Sequence, residues 1–107
     1  MNAAPVVVEL IGGFDLSSAG QLAERLARVR DDPFVIVDLR AVTYLDSLAI
    51  TELMRAHLNA VRAGGAIAIV SADERLARVL RIAGLTRVAR LFDTTDLARA
   101  HLLALVL

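Results

Sequence analysis

The chain has 107 residues, of which 57% are hydrophobic, and its twelve acidic residues balance its twelve basic ones. This length favours one domain over residues 1–107, and the apolar share excludes a disordered chain. The balanced charge excludes the basic surface that binding to nucleic acid or anionic lipid requires, and the absence of cysteine excludes disulfides, thiol catalysis and thiolate metal sites.

The chain opens with a strand and a helix. Residues 6–11 form a β-branched, apolar run that predicts a strand, and a Gly-Gly pair ends it. Apolar residues then recur at helical spacing over residues 19–29, with charged residues on the opposite side, which predicts a helix. An Asp-Asp-Pro sequence at 31–33 stops that helix, because the residue before a proline disfavours helical backbone.

A second strand and a second helix follow. The continuous apolar run 34–37 indicates a strand that is buried on both faces, and residues 38–40 continue it. A loop is then expected up to Asp46 and Ser47. Apolar positions between 50 and 61 define an amphipathic helix, which a second Gly-Gly pair closes.

The last third of the chain repeats this alternation. Residues 66–70 predict a third buried strand, and Ser71 with Glu74 predicts a capping box for a third helix. A fourth strand is expected over 88–92, and a last helix starts after Thr94. The order β-α-β-α-β-α-β-α predicts an α/β fold with a single, mostly parallel sheet and right-handed crossovers.

The sequence carries no signal of export, membrane insertion or catalysis. Residues 1–5 lack the charged and apolar segments of a signal peptide, and no apolar run approaches the roughly 20 residues of a membrane helix. We therefore expect a cytoplasmic protein. No paired carboxylates, nucleophile elbow or metal-ligand spacing occurs, so neither an enzyme nor a bound cofactor or metal is predicted.

Asp46 and Ser47 are the strongest candidates for a functional site, because they follow a buried strand and open a helix. Sites in open α/β sheets gather beyond the carboxyl ends of the strands, and a helix N-terminus stabilises a phosphate. Phosphorylation of Ser47 would add about −1.5 to −2 charges beside Asp46 and repel a partner docked there. Asp and Ser are also common helix N-caps, so a purely structural role stays open.

Other polar residues are given a structural interpretation first. Asp15 is expected on the same sheet edge as Asp46, where it either shapes the site or forms the turn before the first helix. His57 and His101 are expected to be half-buried helix residues, since no nucleophile pattern accompanies them. Arginines recurring on the third helix indicate a solvated face, with a partner surface as the alternative: Arg75, Arg78 and Arg81.

The ordered set of motifs resembles the STAS domain family, and within it the bacterial anti-sigma factor antagonists, over nearly the whole chain. The segment ending in Asp46 and Ser47 resembles the most recognisable stretch of that family. The matching stretches are 12–15, 35–39, 42–47, 64–70, 79–80, 83–85 and 91–93.

This resemblance implies a binding module rather than an enzyme. In such antagonists, a partner anti-sigma factor with serine kinase activity phosphorylates the serine after the aspartate. The unphosphorylated form binds that partner and frees the sigma factor. The resemblance makes Ser47 the phosphoacceptor. It implies a partner-docking face that comprises Asp15, Asp46, Ser47, Leu48, Ala49, Thr51 and Glu52.

Two departures from the family pattern matter. The family usually has a second small residue and then glycine after the serine, where this chain has Leu48 and Ala49. The alternative function is therefore a non-phosphorylated STAS adaptor subunit of a transporter or a stressosome-like complex. The family also usually begins with an extra strand, so we expect a four- to five-stranded, STAS-like sheet whose N-terminal strand is shortened or missing. An uncovered edge along residues 6–11 then predicts a homodimer or a partner contact.

Overall fold

The structure, a computed structural model, describes residues 4–106. The strands are β1 (Val6–Phe14), β2 (Phe34–Leu45), β3 (Ala66–Val70) and β4 (Arg90–Phe92). The helices are α1 (Ala19–Ala27), α2 (Ser47–Arg62), α3 (Glu74–Ile82) and α4 (Thr95–Val106). A 3-10 turn at Leu85–Arg87 precedes β4, which is why that strand begins later than predicted.

The strands form one parallel sheet in the order β1-β2-β3-β4, which is also their order along the chain. Each right-handed crossover therefore advances in the same direction and leaves its helix on the same face. Leu22, Leu53 and Leu80 of α1, α2 and α3 share one core on that face. α4 packs on the other face through Ala98 and Leu102. The predicted α/β architecture with a single parallel sheet is confirmed.

β2 lies at the centre of the hydrophobic core and is buried on both faces, as its continuous apolar run predicts. Val35 and Val37 contribute to the core beneath α1, α2 and α3, whereas Phe34 and Ile36 pack with α4. Each such side chain contributes roughly 1.5–3 kcal/mol through its burial. The burial of β2 therefore holds in place the residues that follow its carboxyl end, Asp46 and Ser47.

β1 and β2 are both longer than the sequence predicts. The first Gly-Gly pair does not end β1, and the loop expected before Asp46 is strand, since β2 continues to Leu45. The two strands go on pairing, through two register irregularities, until Phe14 lies opposite Leu45. Pairing with a neighbouring strand thus holds residues 41–45 extended, although their side chains do not form a strand-like apolar run.

α3 begins at a different cap from the predicted one. The carboxylate of Asp73 accepts from the N–H groups of Arg75 and Leu76 at 2.9 and 3.5 Å, so Asp73 is the N-cap. Ser71 is instead held at the end of β3, because its N–H donates to the Phe92 carbonyl at 3.0 Å. The predicted capping box is therefore wrong, because the main chain of Ser71 pairs with β4 and Asp73 caps the helix instead.

The turn from α2 to β3 packs tightly against the start of β2. Gly64 has φ 94°, and the Gly65 N–H donates to the Ala60 carbonyl at 2.8 Å, which closes α2 with a left-handed cap. The Pro33 carbonyl accepts from the Ala66 N–H at 2.8 Å. A Cβ atom on Gly65 would overlap that carbonyl. The two glycines therefore determine where β3 starts beside β2.

Candidate functional site

The ends of β1 and β2 bring Asp15 and Asp46 to one edge of the sheet. Phe14 and Leu45 form the last paired position, and the Asp46 N–H donates to the Phe14 carbonyl at 3.0 Å. Both aspartates therefore follow the carboxyl ends of neighbouring parallel strands. Binding sites of open α/β sheets gather at this edge.

Asp46 caps α2 and leaves the hydroxyl of Ser47 free. The Asp46 backbone is extended, with φ −90° and ψ −177°, and its carboxylate accepts from the Ala49 N–H at 2.9 Å. Ser47 is the exposed first residue of the helix, and its carbonyl accepts from the Thr51 hydroxyl at 2.9 Å. The Ser47 hydroxyl makes no hydrogen bond with any other residue between 4 and 106. Of the two candidate caps, Asp46 and Ser47, it is therefore Asp46 that caps α2.

Asp15 is held in place by the turn that leads into α1. Its carboxylate accepts from the Ser17 N–H at 2.9 Å, from the Ser17 hydroxyl at 2.6 Å and from the Ser18 hydroxyl at 3.3 Å. These hydrogen bonds, above all those from Ser17, hold the pKa of Asp15 below its usual value. Asp15 is therefore an exposed, ionised carboxylate that adds negative charge to the edge that carries Asp46.

The remaining predicted site residues differ in accessibility. Leu48, with 43% of its surface exposed, and Thr51 face solvent on the first turns of α2. Glu52 is half-buried, with a carboxylate oxygen 3.8 Å from Nε of Arg55. Ala49 is fully buried in the core. The expectation that Ala49 belongs to the docking face is therefore corrected, because its side chain lies beneath that face.

Position 49 carries no backbone strain, although the family usually has glycine there. Ala49 lies within the regular helix α2, and no residue other than glycine has a positive φ within residues 4–106. Alanine has the highest helix propensity, so it stabilises the first turn of α2 relative to glycine. The loss of glycine freedom therefore has no structural consequence in this chain.

Tyr44 is an exposed residue near the site that the sequence reasoning did not single out. It lies one position before the end of β2, and 55% of its surface is exposed. With Asp73, Arg75 and Val79 it lines a hollow of about 240 Å³ between β2 and the start of α3. Aromatic residues make up only 4% of the chain, so a tyrosine two residues before Asp46 was the feature of the sequence that could have indicated this surface.

An ion pair between the buried Asp38 and the exposed Arg40 of β2 was also missed. Asp38 is buried, and Arg40 donates to its two carboxylate oxygens from Nε at 3.0 Å and from Nη2 at 2.8 Å. The hydrogen bonds from Arg40 hold the pKa of Asp38 below its usual value. Residues two apart on a strand share one face, so the Asp-x-Arg spacing was the available signal. The pair lies within β2 rather than at the strand-end site.

The two histidines are not part of this site. His57 is buried on α2, and its Nδ1 has no hydrogen-bond partner among the described residues. His101 is half-buried on α4 and lies against Phe92, with ring centroids 5.2 Å apart. Both therefore lie within the packing of the helices, His57 more deeply than expected.

Residues 4–106 also bear on metal binding and on membrane insertion. No three His, Cys, Asp or Glu side chains in that range are grouped as a metal site requires. None of the helices in it combines the length and the apolar character that a membrane span needs.

The chain is similar to solved structures of more than one functional kind. An anti-sigma factor antagonist from Mycobacterium paratuberculosis matches with a TM-score of 0.84 and 23% identity, over 95% of this chain and 88% of that one. A sulfate transporter family protein from Wolinella succinogenes matches with a TM-score of 0.80 and 22% identity, over 96% and 88%. The Bacillus cell fate determinant SpoIIAA in its phosphorylated form matches with a TM-score of 0.65 and 13% identity, over 89% and 88%. These similarities establish a shared fold.

A comparison with curated protein sequences gave no match. The family model of the STAS domain, in contrast, matches residues 2–98, which is most of the chain. The parallel sheet, the helix that starts directly after β2 and the solved structures of the same fold agree with that match. The chain therefore belongs to the STAS domain family.

Proposed function

We propose that this chain is an anti-sigma factor antagonist that phosphorylation switches off. The unphosphorylated form binds an anti-sigma factor that is also a serine kinase, and the sigma factor is thereby released. The kinase transfers the γ-phosphoryl group of ATP to the Ser47 hydroxyl, and the phosphoserine weakens binding. The chain catalyses no reaction itself, takes no cofactor and acts in the cytoplasm.

The observation that carries this proposal is the unused hydroxyl of Ser47. A serine at the start of a helix is commonly a cap, and a capping hydroxyl is already engaged by a main-chain N–H. In this chain the Asp46 carboxylate accepts that hydrogen bond, and Ser47 is exposed one residue later. The hydroxyl is therefore accessible to a kinase, and its modification leaves the helix cap intact.

A phosphate on Ser47 would be tolerated by the chain but would disturb a docked partner. The N-terminus of the 16-residue helix α2 stabilises negative charge, typically by about 0.3–1 kcal/mol. The phosphate would also add about −1.5 to −2 charges to an edge that carries the carboxylates of Asp15 and Asp46. A partner surface that complements the two carboxylates would then face roughly twice their negative charge, so the affinity of the partner for this chain would fall.

The proposed docking face consists of the exposed residues at this edge. Leu48 supplies an apolar contact between the charged groups, and Thr51 extends the face along α2. Glu52 lies at the margin, because its side chain is only 20% exposed beside Arg55. The residues of this face are Asp15, Asp46, Ser47, Leu48, Thr51 and Glu52.

The second candidate function is a STAS adaptor subunit that binds its partner without phosphorylation, in a transporter or a stressosome-like complex. One observation favours it: Leu48 follows Ser47 directly on the first turn of α2, and 43% of its surface is exposed there. A bulky side chain at this position restricts the approach of a kinase. Transporter STAS domains are also among the solved structures with this fold.

A homodimer through β1 is a separate element of the proposal. β1 pairs with β2 alone among the described strands, so its other side is a sheet edge. Such an edge offers main-chain groups to an added strand. The N-terminal strand that the family usually has would occupy this position, and a second copy of β1 is the proposed occupant here.

The test is an affinity pull-down from the native cytoplasm that compares wild type, Ser47→Ala and Ser47→Asp. Wild type and Ser47→Ala are expected to recover a kinase identified by mass spectrometry as an anti-sigma factor, and Ser47→Asp at least tenfold less of it. ATP should add phosphate to wild type and not to Ser47→Ala. Ala104→Asp, an acidic substitution on the exposed side of α4, is the matched control and should behave as wild type.

Equal recovery by Ser47→Asp and wild type would contradict the switch. In that case the partner recovered by both proteins would identify a constitutive adaptor. Recovery of a kinase without phosphate on Ser47 would point to the same alternative.

A further inference from the structure

A groove of about 550 Å³ runs along the outer side of α2 and reaches the end of α3. Ile50, Met54 and Leu58 line its α2 side at successive turns, and Ala83 lines its α3 side. α1 packs closely along α2, whereas α3 does not. We call this feature the α2–α3 groove.

Exposed apolar residues occur on both helices that border the α2–α3 groove, and one of them, Leu58, lines it. Leu58 is 48% exposed and Val61 is 50% exposed on α2, and Ile82, next to Ala83, is 81% exposed. Single exposed apolar residues are ordinary, but a group of them beside a groove is typical of an interaction surface. Covering these side chains with another apolar surface would remove them from water and stabilise the complex.

Two arginines also line the groove, and neither has a strong partner within residues 4–106. Arg62 makes no ion pair with another residue of the described part. Arg55 lies 3.8 Å from Glu52, and its side chain is 66% exposed, so this pair contributes little. The groove thus combines an apolar floor with positive charge that remains available to a ligand.

We propose that the α2–α3 groove binds an amphipathic helix of the partner protein, with an apolar face and acidic residues beside it. The apolar face would cover Met54 and Leu58. Arg55 and Arg62 are seven residues apart, or about 10 Å along α2, so they fit two carboxylates placed two turns apart on the incoming helix. The inference rests on the proposed function and extends it, by naming the partner's docking element.

The charge of the groove also decides between this occupant and a second copy of the chain. Two copies that met through the α2–α3 groove would bring Arg55 and Arg62 of each copy together. Like charges placed opposite each other across an interface disfavour association. An acidic helix would instead pair with them, so the complementary partner is a different protein.

The groove is continuous with Ser47. Ser47, Thr51, Met54 and Leu58 are spaced at i, i+4, i+7 and i+11, which places them on one stripe of α2. A helix that is seated over Met54 and Leu58 and continues along this stripe would come close to the Ser47 hydroxyl. Phosphate at that point would repel its acidic residues, which gives the switch a second contact to act on.

The experiment uses a photoreactive benzoylphenylalanine in the full chain at Leu58, at Leu48 or at Leu97. Leu97 is a matched control, because it is an exposed leucine on α4, on the other face of the sheet. Each protein is irradiated in native cytoplasmic extract, and the cross-linked peptides are identified by mass spectrometry. We expect position 58 to label an acidic amphipathic segment at least fivefold more strongly than position 97 does.

The outcomes separate this inference from the proposed function. A kinase labelled from position 48, with nothing labelled from position 58, would overturn the inference and leave the switch standing. An acidic helix of a protein other than a kinase, labelled from position 58 while position 48 labels no kinase, would support the groove and contradict the switch. Labelling of a second copy, of a basic or non-amphipathic segment, or of nothing from either position would overturn the inference.

A charge-reversed variant provides an independent measurement. Arg55→Glu combined with Arg62→Glu should weaken retention of the partner at least tenfold, and the remaining binding should depend less on salt. Arg87→Glu with Arg90→Glu is the control with the same change in charge, because both arginines are exposed, do not line the groove and make no ion pair within residues 4–106. Thermal unfolding of both variants verifies that they are folded. Unchanged retention by a folded groove variant would overturn the inference.

Discussion

The guanidinium of Arg25 donates a hydrogen bond to the main-chain carbonyl of Glu9 across a distance of 2.7 Å. Glu9 belongs to β1, the edge strand, and Arg25 belongs to α1. A helix side chain thus occupies a main-chain acceptor of the edge strand, beside the register irregularity between Glu9 and Ile11. Edge strands are commonly protected by charged groups in this way. We therefore expect Arg25 to hinder a homodimer through β1.

Removal of this side chain should increase dimer formation. Arg25→Ala is expected to raise the dimer fraction above that of wild type, because the Glu9 carbonyl becomes available to a second β1. Sedimentation velocity over a range of protein concentrations measures that fraction. Arg78→Ala, which removes an exposed arginine from α3, should leave it unchanged. A monomer at all concentrations for both Arg25→Ala and wild type would contradict dimerisation through this strand.

Replacement of the α2 cap should lower stability without removing Ser47. Asp46→Ala is expected to reduce the free energy of unfolding by about 1 kcal/mol, because the Ala49 N–H loses its acceptor. Asp46→Asn should stay within a few tenths of a kcal/mol of wild type, since asparagine caps equally well. Urea unfolding measures both. A loss in Asp46→Asn as large as that in Asp46→Ala would show that the negative charge matters more than the hydrogen bond.

The contact between Gly65 and Pro33 predicts that two glycine substitutions act in opposite directions. Gly65→Ala should lower the free energy of unfolding by about 1–3 kcal/mol, because the added Cβ overlaps the Pro33 carbonyl. Gly20 lies within α1 with open space around it, so Gly20→Ala should raise the free energy of unfolding by about 0.5 kcal/mol. Chemical denaturation compares the two. An equal effect in both variants would contradict the close approach at Gly65.

Burial of His57 predicts a stability that depends on pH. Desolvation lowers the pKa of His57, so the unfolded chain binds a proton more readily than the folded one. Above about pH 6.5, the pKa of histidine in the unfolded chain, His57 is neutral in both states and does not reduce the free energy of unfolding. As the pH falls from there toward the lower pKa of the folded state, the unfolded chain is protonated first and the free energy of unfolding decreases. The urea concentration at the unfolding midpoint should therefore decrease as the pH is lowered from 7.5 to 5.5.

The matched comparison for this prediction is His57→Leu against His101→Leu. His57→Leu removes the buried titrating group and should flatten the pH dependence over this interval. His101→Leu leaves His57 in place, so the dependence should persist. A decline of equal steepness in His57→Leu would assign the effect to another group.

Most elements could be predicted from local sequence because their apolar spacing reports burial directly. The run that forms β2 and the helical spacing along α2 are examples. The end of β2 could not be predicted, since residues 41–45 are held extended by pairing with β1, and no local pattern encodes a neighbour's register. Ser71 was misjudged for a related reason, because its N–H bonds to Phe92 of another strand.

The candidate site was predictable in location and less so in detail. A strand followed by Asp46 and Ser47 indicates a sheet edge, and topology alone places Asp15 near it. Which of Asp46 and Ser47 caps the helix depends on backbone angles that the sequence does not reveal. The burial of Ala49 could have been predicted from the sequence, because Ala49 lies four residues before Leu53, which is the spacing of a buried helical stripe.

A sheet whose strands follow chain order has a consequence for synthesis. Each βα unit can pack on the unit before it as the chain leaves the ribosome, because no strand has to insert between two that are already paired. The face under α4 is different, since Phe34, Ile36 and Val70 lie there and α4 is made after all of them. The nascent sheet therefore carries an open apolar face until α4 docks, and a chaperone that binds such surfaces would recognise the protein at that stage.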